Sequence, residues 1–192
     1  MKILSFFLTL LACLGAAVFL STPSPSETVL ASSSNDSELI AGYRKWKRVN
    51  AEPQNVPSRI AIQCAAPTVR DTELEQNNPH RDKFVVVYVN HIGRFAMTEQ
   101  KYPKFPQGSI IVKEKLATKD SDSPELLTVM RKREPGYNPD NGDWEYMVFD
   151  GPGKVMQASG KLENCQGCHV KEKITDYVSR RYIPYAVVEK MQ

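Results

Sequence analysis

The chain carries two kinds of hydrophobic pattern. From Ile3 to Leu20, "ILSFFLTLLACLGAAVFL" is apolar, uncharged and without period; further on, short apolar runs are divided by turn residues. "FVVVYVN" (84–90) is dense in β-branched and aromatic residues and predicts a strand. "IIVKEKLA" (110–117), "ELLTVMRKR" (125–133) and "WEYMVFD" (144–150) predict three more. "YPKFPQGS", "EPGYNPDNGDW" and "GPGK" supply the turns. Two stretches read as helix. "ELIAGYRKWKRVN" has Leu39, Tyr43 and Trp46 at helical spacing and basic residues towards its end, where cations suit the negative pole. That helix is expected to end near Val49, where "AEPQNVPS" breaks it. "VKEKITDYVSRRY" (170–182) reads as the second. Helices leading and trailing several antiparallel strands predict an α+β domain, mostly β, with a small antiparallel sheet.

Lys2 followed by the apolar run is a secretory signal pattern. The Ser/Thr/Pro-rich "STPSPSETVLASSSNDS" after it reads as a cleavage region and a tether. Cleavage fits near Ala16 or Ala17, or late, at Val29-Leu30-Ala31. The run is also about long enough to stay as a membrane anchor, which needs roughly 17–25 residues. "LLAC", ending at Cys13, resembles a lipoprotein box, but little chain precedes it and the apolar run continues past it. Each reading puts the folded part outside the cytoplasm, as in a periplasm. The expected domains are 1–31 (signal or anchor and the start of a linker), 32–38 (disordered linker) and 39–192, one domain with its own core. With 25 basic and 22 acidic residues, a net charge of +3 and no basic block, the chain does not read as a nucleic-acid partner.

Of the four cysteines, Cys13 lies in the leader, leaving Cys64, Cys165 and Cys168. Exported domains usually pair their cysteines. Here two share "CQGCH" and Cys64 is left over, by default a buried inert thiol in "IQCAAP". C-x-x-C-H is a c-type haem attachment signature. The two thiols add to the haem vinyl groups as thioethers, and the next histidine falls under the iron. The alternatives each lack a part. A redox C-x-x-C sits beside a βαβ pattern, a zinc site takes four ligands, and a disulfide across two residues is strained. One motif predicts one covalent haem c, held by Cys165 and Cys168, with His169 as proximal ligand.

The other side of the iron is closed by Met or His in electron carriers and open in enzymes and gas sensors. The residues available are His80, His91, Met97, Met130, Met147, Met156 and Met191. His80, in polar "NPHRDK", reads as structural, and His91 as a surface residue. Arg180 or Arg181 would suit a haem propionate, as guanidinium binds carboxylate bidentately; a solvated surface arginine is the plainer alternative. Trp46 and Trp144 read as core aromatics. A haem motif this late in the chain, after a run of strands, argues against the ordinary helical cytochrome c fold.

Five segments together resemble the cytochrome P-460 family: "YRKWKRVN", "VYVN", "FPQGSIIVKEKL", "NGDWEYMVF" and "CQGCHVKEKITDYVSRRYIPY". The resemblance covers roughly Tyr43 to Tyr185. It implies a small antiparallel sheet carrying one c-haem, in a periplasmic homodimer. It also implies a small nitrogen-oxide ligand or substrate and a redox partner, either another cytochrome or a quinone-linked acceptor. Several members bond a lysine nitrogen to a haem meso carbon, and the matching residue here is Lys113. By period alone, Lys113 shares a strand face with Ser109, Ile111 and Lys115 and reads as an exposed strand lysine. The resemblance turns it to the haem. Hydroxylamine-oxidising members use a distal glutamate as base. Counted back from Trp144, its match is Thr128, and no carboxylate stands between Leu126 and Arg133. Met130, on the Thr128 face, is then either an iron ligand or an ordinary core methionine. A related branch, cytochrome c-prime-beta, lacks the lysine bond and binds NO and CO. Two functions stay open: an oxidoreductase acting on hydroxylamine or NO, and an electron-carrying or gas-binding protein.

Overall fold

The computed structural model describes residues 34–56, 69–76 and 81–192. The expectations for the leader, its cleavage or anchoring, Cys13, Cys64 and His80 fall outside the described residues. Among the described residues, no helix is long and apolar enough to cross a membrane. In chain order the elements are α1 (Ser34–Leu39), β1 (Lys47–Arg48), β2 (Gln54–Val56), α2 (Val69–Gln76), β3 (Lys83–Val89), α3 (Arg94–Thr98), β4 (Ile110–Leu116), β5 (Leu126–Lys132), β6 (Trp144–Asp150), β7 (Met156–Gly160), α4 (Glu163–His169) and α5 (Tyr185–Val188).

The sheet runs β1-β3-β4-β5-β6-β7, antiparallel throughout, with β2 on the same edge of β3 as β1. The four strands expected from sequence are β3 to β6, and the fold is the α+β, mostly β class expected. β1, β2 and β7 were not legible, because short, polar, half-exposed edge strands carry no alternation to read. Asn50 fills the break between β1 and β2. Its Oδ1 accepts from the Val87 amide at 2.9 Å and its Nδ2 donates to the Val85 carbonyl at 2.8 Å.

The two faces of the sheet have different work. On one, Ile110, Val112, Leu127, Val129, Met147 and Phe149 pack with Ile40 into a core cluster, flanked by Tyr43 and Trp46. Glu114 is buried on this face and accepts from Tyr43 Oη and Arg44 Nε, each at 2.6 Å. The other face carries Val87, Val89, Ile111, Lys113, Lys115, Thr128, Met130 and Tyr146. Met130, Tyr146 and Trp144 cluster there with Tyr177 and Val178 from the chain after α4.

Both helix expectations need correction. α1 begins at Ser34, inside the stretch expected to be linker, and stops at Leu39. Gly42 then takes a left-handed conformation (φ 69°), a short 3-10 turn covers Tyr43–Lys45, and Lys47–Arg48 pair with β3 as a strand. Glu114 draws Tyr43 and Arg44 onto the sheet, overriding the helical spacing. After α4, a 3-10 turn over Val170–Thr175 replaces the long helix; Asp176 (φ 55°) and Tyr177 (φ 64°) end it in consecutive left-handed conformations.

Candidate haem site

Cys165, Cys168 and His169 all lie on α4. In a helix, positions i, i+3 and i+4 share a face, so the motif spacing turns both sulfurs and the imidazole the same way. Both thiols are free. Gln166 anchors α4 to the loop after β5, accepting from Asn138 Nδ2 (3.1 Å) and Asn141 Nδ2 (2.7 Å) and donating to the Lys161 carbonyl (2.8 Å). Cys165 packs against the cluster holding Met130 and Tyr146, and the His169 ring lies 5.3 Å from the Tyr146 ring. α4 therefore rests on the Lys113 face of the sheet.

His169 Nδ1 is 2.7 Å from the Tyr177 carbonyl oxygen. A carbonyl only accepts, so this contact puts the proton on Nδ1 and leaves Nε2 as the free lone pair, the state a metal-ligating histidine requires. Burial, helped by the nearby Lys113 charge and opposed by the Tyr177 hydrogen bond, lowers the His169 pKa to about 4. The imidazole is thus neutral at physiological pH.

The carbonyl that holds His169 belongs to the strained pair Asp176–Tyr177, and several groups fix that turn. Trp144 Nε1 donates to the Asp176 carbonyl at 2.7 Å, and Asp176 Oδ2 accepts from the Phe105 amide and from Lys132 Nζ. Gly142, itself at φ 63°, gives room to the Tyr177 ring; a Cβ there would come within 2.5 Å of it. Strain of this kind persists only where surrounding contacts over-determine it. Trp144, expected as a core aromatic, is fully buried and also a positioning residue for His169.

The sheet face beneath has an unusual inventory. One row across it reads Val87, Lys113, Thr128, Val148, Ala158, and the next Val89, Ile111, Met130, Tyr146, Gly160. Thr128 is the direct cross-strand neighbour of Lys113. Neither row holds a carboxylate. Asp150, one row further, accepts from the Lys154 and Val155 amides in its own turn. Lys113 is half-buried; burial lowers its pKa to about 8, against the pull of Cys165 and Cys168. Lys115 is almost fully buried, and burial, with Lys113 beside it, lowers its pKa to about 7. Burial raises the Cys165 thiol and the Tyr146 phenol. Lys115 Nζ and Tyr146 Oη are buried without hydrogen-bond partners. Leaving such groups unsatisfied costs about 1–3 kcal/mol each.

Of the other residues weighed from sequence, Met147 and Met156 sit on the opposite face and His91 is exposed, while Met97, a buried residue of α3, joins the cluster that holds Met130 and Tyr146, and Met191 packs against it. Arg180 is buried; its Nη atoms donate to the Gln100, Lys101 and Met97 carbonyls, and its Nε has no partner. Arg181 is exposed and paired with Glu172 at 3.1 Å. Lys115, Tyr146 and Tyr177 were missed. Period two does put Lys115 with Lys113 and Tyr146 with Trp144, but only the ladder shows that these faces meet α4.

A family model described as Cytochrome P460 matches residues 40–180. The chain belongs to the cytochrome P460 family. No curated protein matched it. Membership in the cytochrome P460 family implies a haem cofactor. The site fits one: two free thiols and a neutral imidazole on one helix face, above a sheet face with two orphaned polar atoms. The match begins at Ile40 and ends at Arg180, so it spans the sheet, α4 and the Asp176–Tyr177 turn.

Proposed function

We propose that this cytochrome P460 is an exported monohaem c-type protein that binds small nitrogen oxides. In this reading Cys165 and Cys168 form thioethers, His169 is the proximal ligand, and Lys113 faces the ring, where it is positioned to bond it. The observation that carries the proposal is the shared face of Cys165, Cys168 and His169 on α4, with the His169 proton held by the Tyr177 carbonyl. When bound, haem supplies a redox-active iron able to take hydroxylamine or NO. The chain's own part is to hold Nε2 unprotonated, to keep water from the buried Lys113 face, and to stiffen His169 through Tyr177, Asp176 and Trp144.

The rows around Lys113 and Met130 hold no carboxylate to serve as a base. That favours ligand binding or electron carriage over hydroxylamine turnover. Lys113 favours the oxidoreductase reading. Met130 packs among Ile111, Tyr146 and Trp144, which supports a core role for it over iron ligation. Export follows from the leader pattern. A homodimer and a cytochrome or quinone-linked redox partner follow from the resemblance.

The test is expression with c-haem maturation, then digestion and mass spectrometry. The expected product is haem on the peptide containing Cys165, Cys168 and His169, with Lys113 in the same cross-linked species. Haem on the α4 peptide alone removes the Lys113 bond. Matured protein with no covalent haem overturns the proposal. In optical titration, NO is expected to shift the Soret band, and hydroxylamine to bind without sustained turnover; steady oxidation of hydroxylamine would establish the enzyme reading instead.

A further inference from the structure

Lys115 is 1% exposed, and its Nζ has no hydrogen-bond partner. Strand β4 turns it to the same face as Lys113, about 6.6 Å further along the strand. That is the sheet face on which α4 rests, and the unpartnered Nζ is buried there.

No carboxylate among the described residues answers it. Glu125, whose amide donates to the Lys115 carbonyl, turns its own carboxylate to Lys83. Glu114 is on the opposite face with Tyr43 and Arg44. Asp150 is bound to its own turn. Cys165 offers no lasting partner, since a thioether carries no charge. A buried ammonium without an acceptor is costly, and three donors on a compact charge suit an anionic oxygen.

We propose that Lys115 is the anion-binding residue of this site, holding an anionic oxygen of the group or ligand bound there. The inference rests on the haem reading of Cys165–His169. Two sources share the chemistry: a haem propionate, and an oxyanion ligand such as nitrite. With the Arg180 Nη atoms on backbone carbonyls and Arg181 paired with Glu172, Lys115 takes the role that sequence had offered to one of the two.

The experiment compares matured holoprotein, Lys115→Met and Lys115→Arg, with Lys115→Gln as the substitute if Lys115→Met does not accumulate. Three readouts are taken: reduction potential, the propionate band in resonance Raman, and nitrite affinity. If the partner is a propionate, removing the cation lowers the potential and moves the propionate band, Lys115→Arg restores both, and nitrite affinity is unchanged. If the partner is an oxyanion ligand, nitrite binds at least about tenfold more weakly, as expected for loss of one charged hydrogen bond, with the other two readouts unchanged. Identical values for wild type and variant in all three overturn the proposal. So does a mass spectrum showing Lys115 itself bonded to haem. Wild-type protein without covalent haem fails at the earlier step, and mass spectrometry separates that failure from this one.

Discussion

The paired lysines of β4 have opposite consequences for stability and for function. Each loses hydration on folding, and each has its pKa lowered, Lys115 most, from 10.5 to about 7. The unfolded chain therefore holds more protons than the folded chain between about pH 7 and pH 10.5, and stability rises with pH across that window. The haem-free chain is expected to become harder to unfold in urea as pH climbs through it. Lys115→Met should flatten most of that slope; a slope unchanged by the substitution would mean that Lys115 is not buried as an amine. Glu114, between them in sequence, makes the contrast. It is just as buried, yet it is satisfied by Tyr43 and Arg44, because strand alternation sends it to the other face. "KEK" is thus three charges with two fates, and period two names the faces without saying which one meets the haem motif.

At the level of elements, the sheet edge depends on one side chain. β1 and β2 are too short to pair stably alone, and Asn50 supplies the bonds missing between them. Asn50→Ala leaves the Val87 amide and the Val85 carbonyl buried and unpaired. The expected cost is about 2–4 kcal/mol in chemical denaturation, with earlier hydrogen exchange at Val87 than in β5. A loss below the error of the melt would show the edge closing without it. The four inner strands were legible because they are long and β-branched. The two helices beside them were misread for a common reason: tertiary contacts outweighed weak local periodicity. Glu114 captured Tyr43 and Arg44, and the bonds from Trp144, Phe105 and Lys132 captured Asp176. The sequence shows Tyr, Arg, Glu, Trp and Asp in place, but their partners lie about 70 residues away for Tyr43 and Phe105, by the separations of 71 in each pair.

For the whole molecule, the sheet puts the candidate site on one face only. The Glu114 face packs an apolar core; the Lys113 face packs a second one and also carries α4 and the site. Leu127, fully buried in the Glu114-face core, is one residue from Thr128 but points away from it. Leu127→Ala is expected to cost about 2–5 kcal/mol in thermal or chemical melts, while the haem spectrum of the protein that folds stays as in wild type. A shifted Soret band in that variant would show that the two faces are coupled.

The sequence by itself determined the donor set, two thiols and an imidazole at i, i+3 and i+4, which share one face of the helix they form. It also determined the four inner strands and the lack of a carboxylate near Thr128. Tertiary structure alone decided what surrounds the motif. A histidine tautomer depends on which carbonyl arrives at Nδ1, here Tyr177 from a left-handed turn held by Trp144. Whether a buried cation finds acceptors depends on what folding brings to it: the Arg180 Nη atoms meet the Gln100 and Lys101 carbonyls, while Lys115 Nζ meets none. Such facts live in contacts between distant segments, and local pattern carries no record of them.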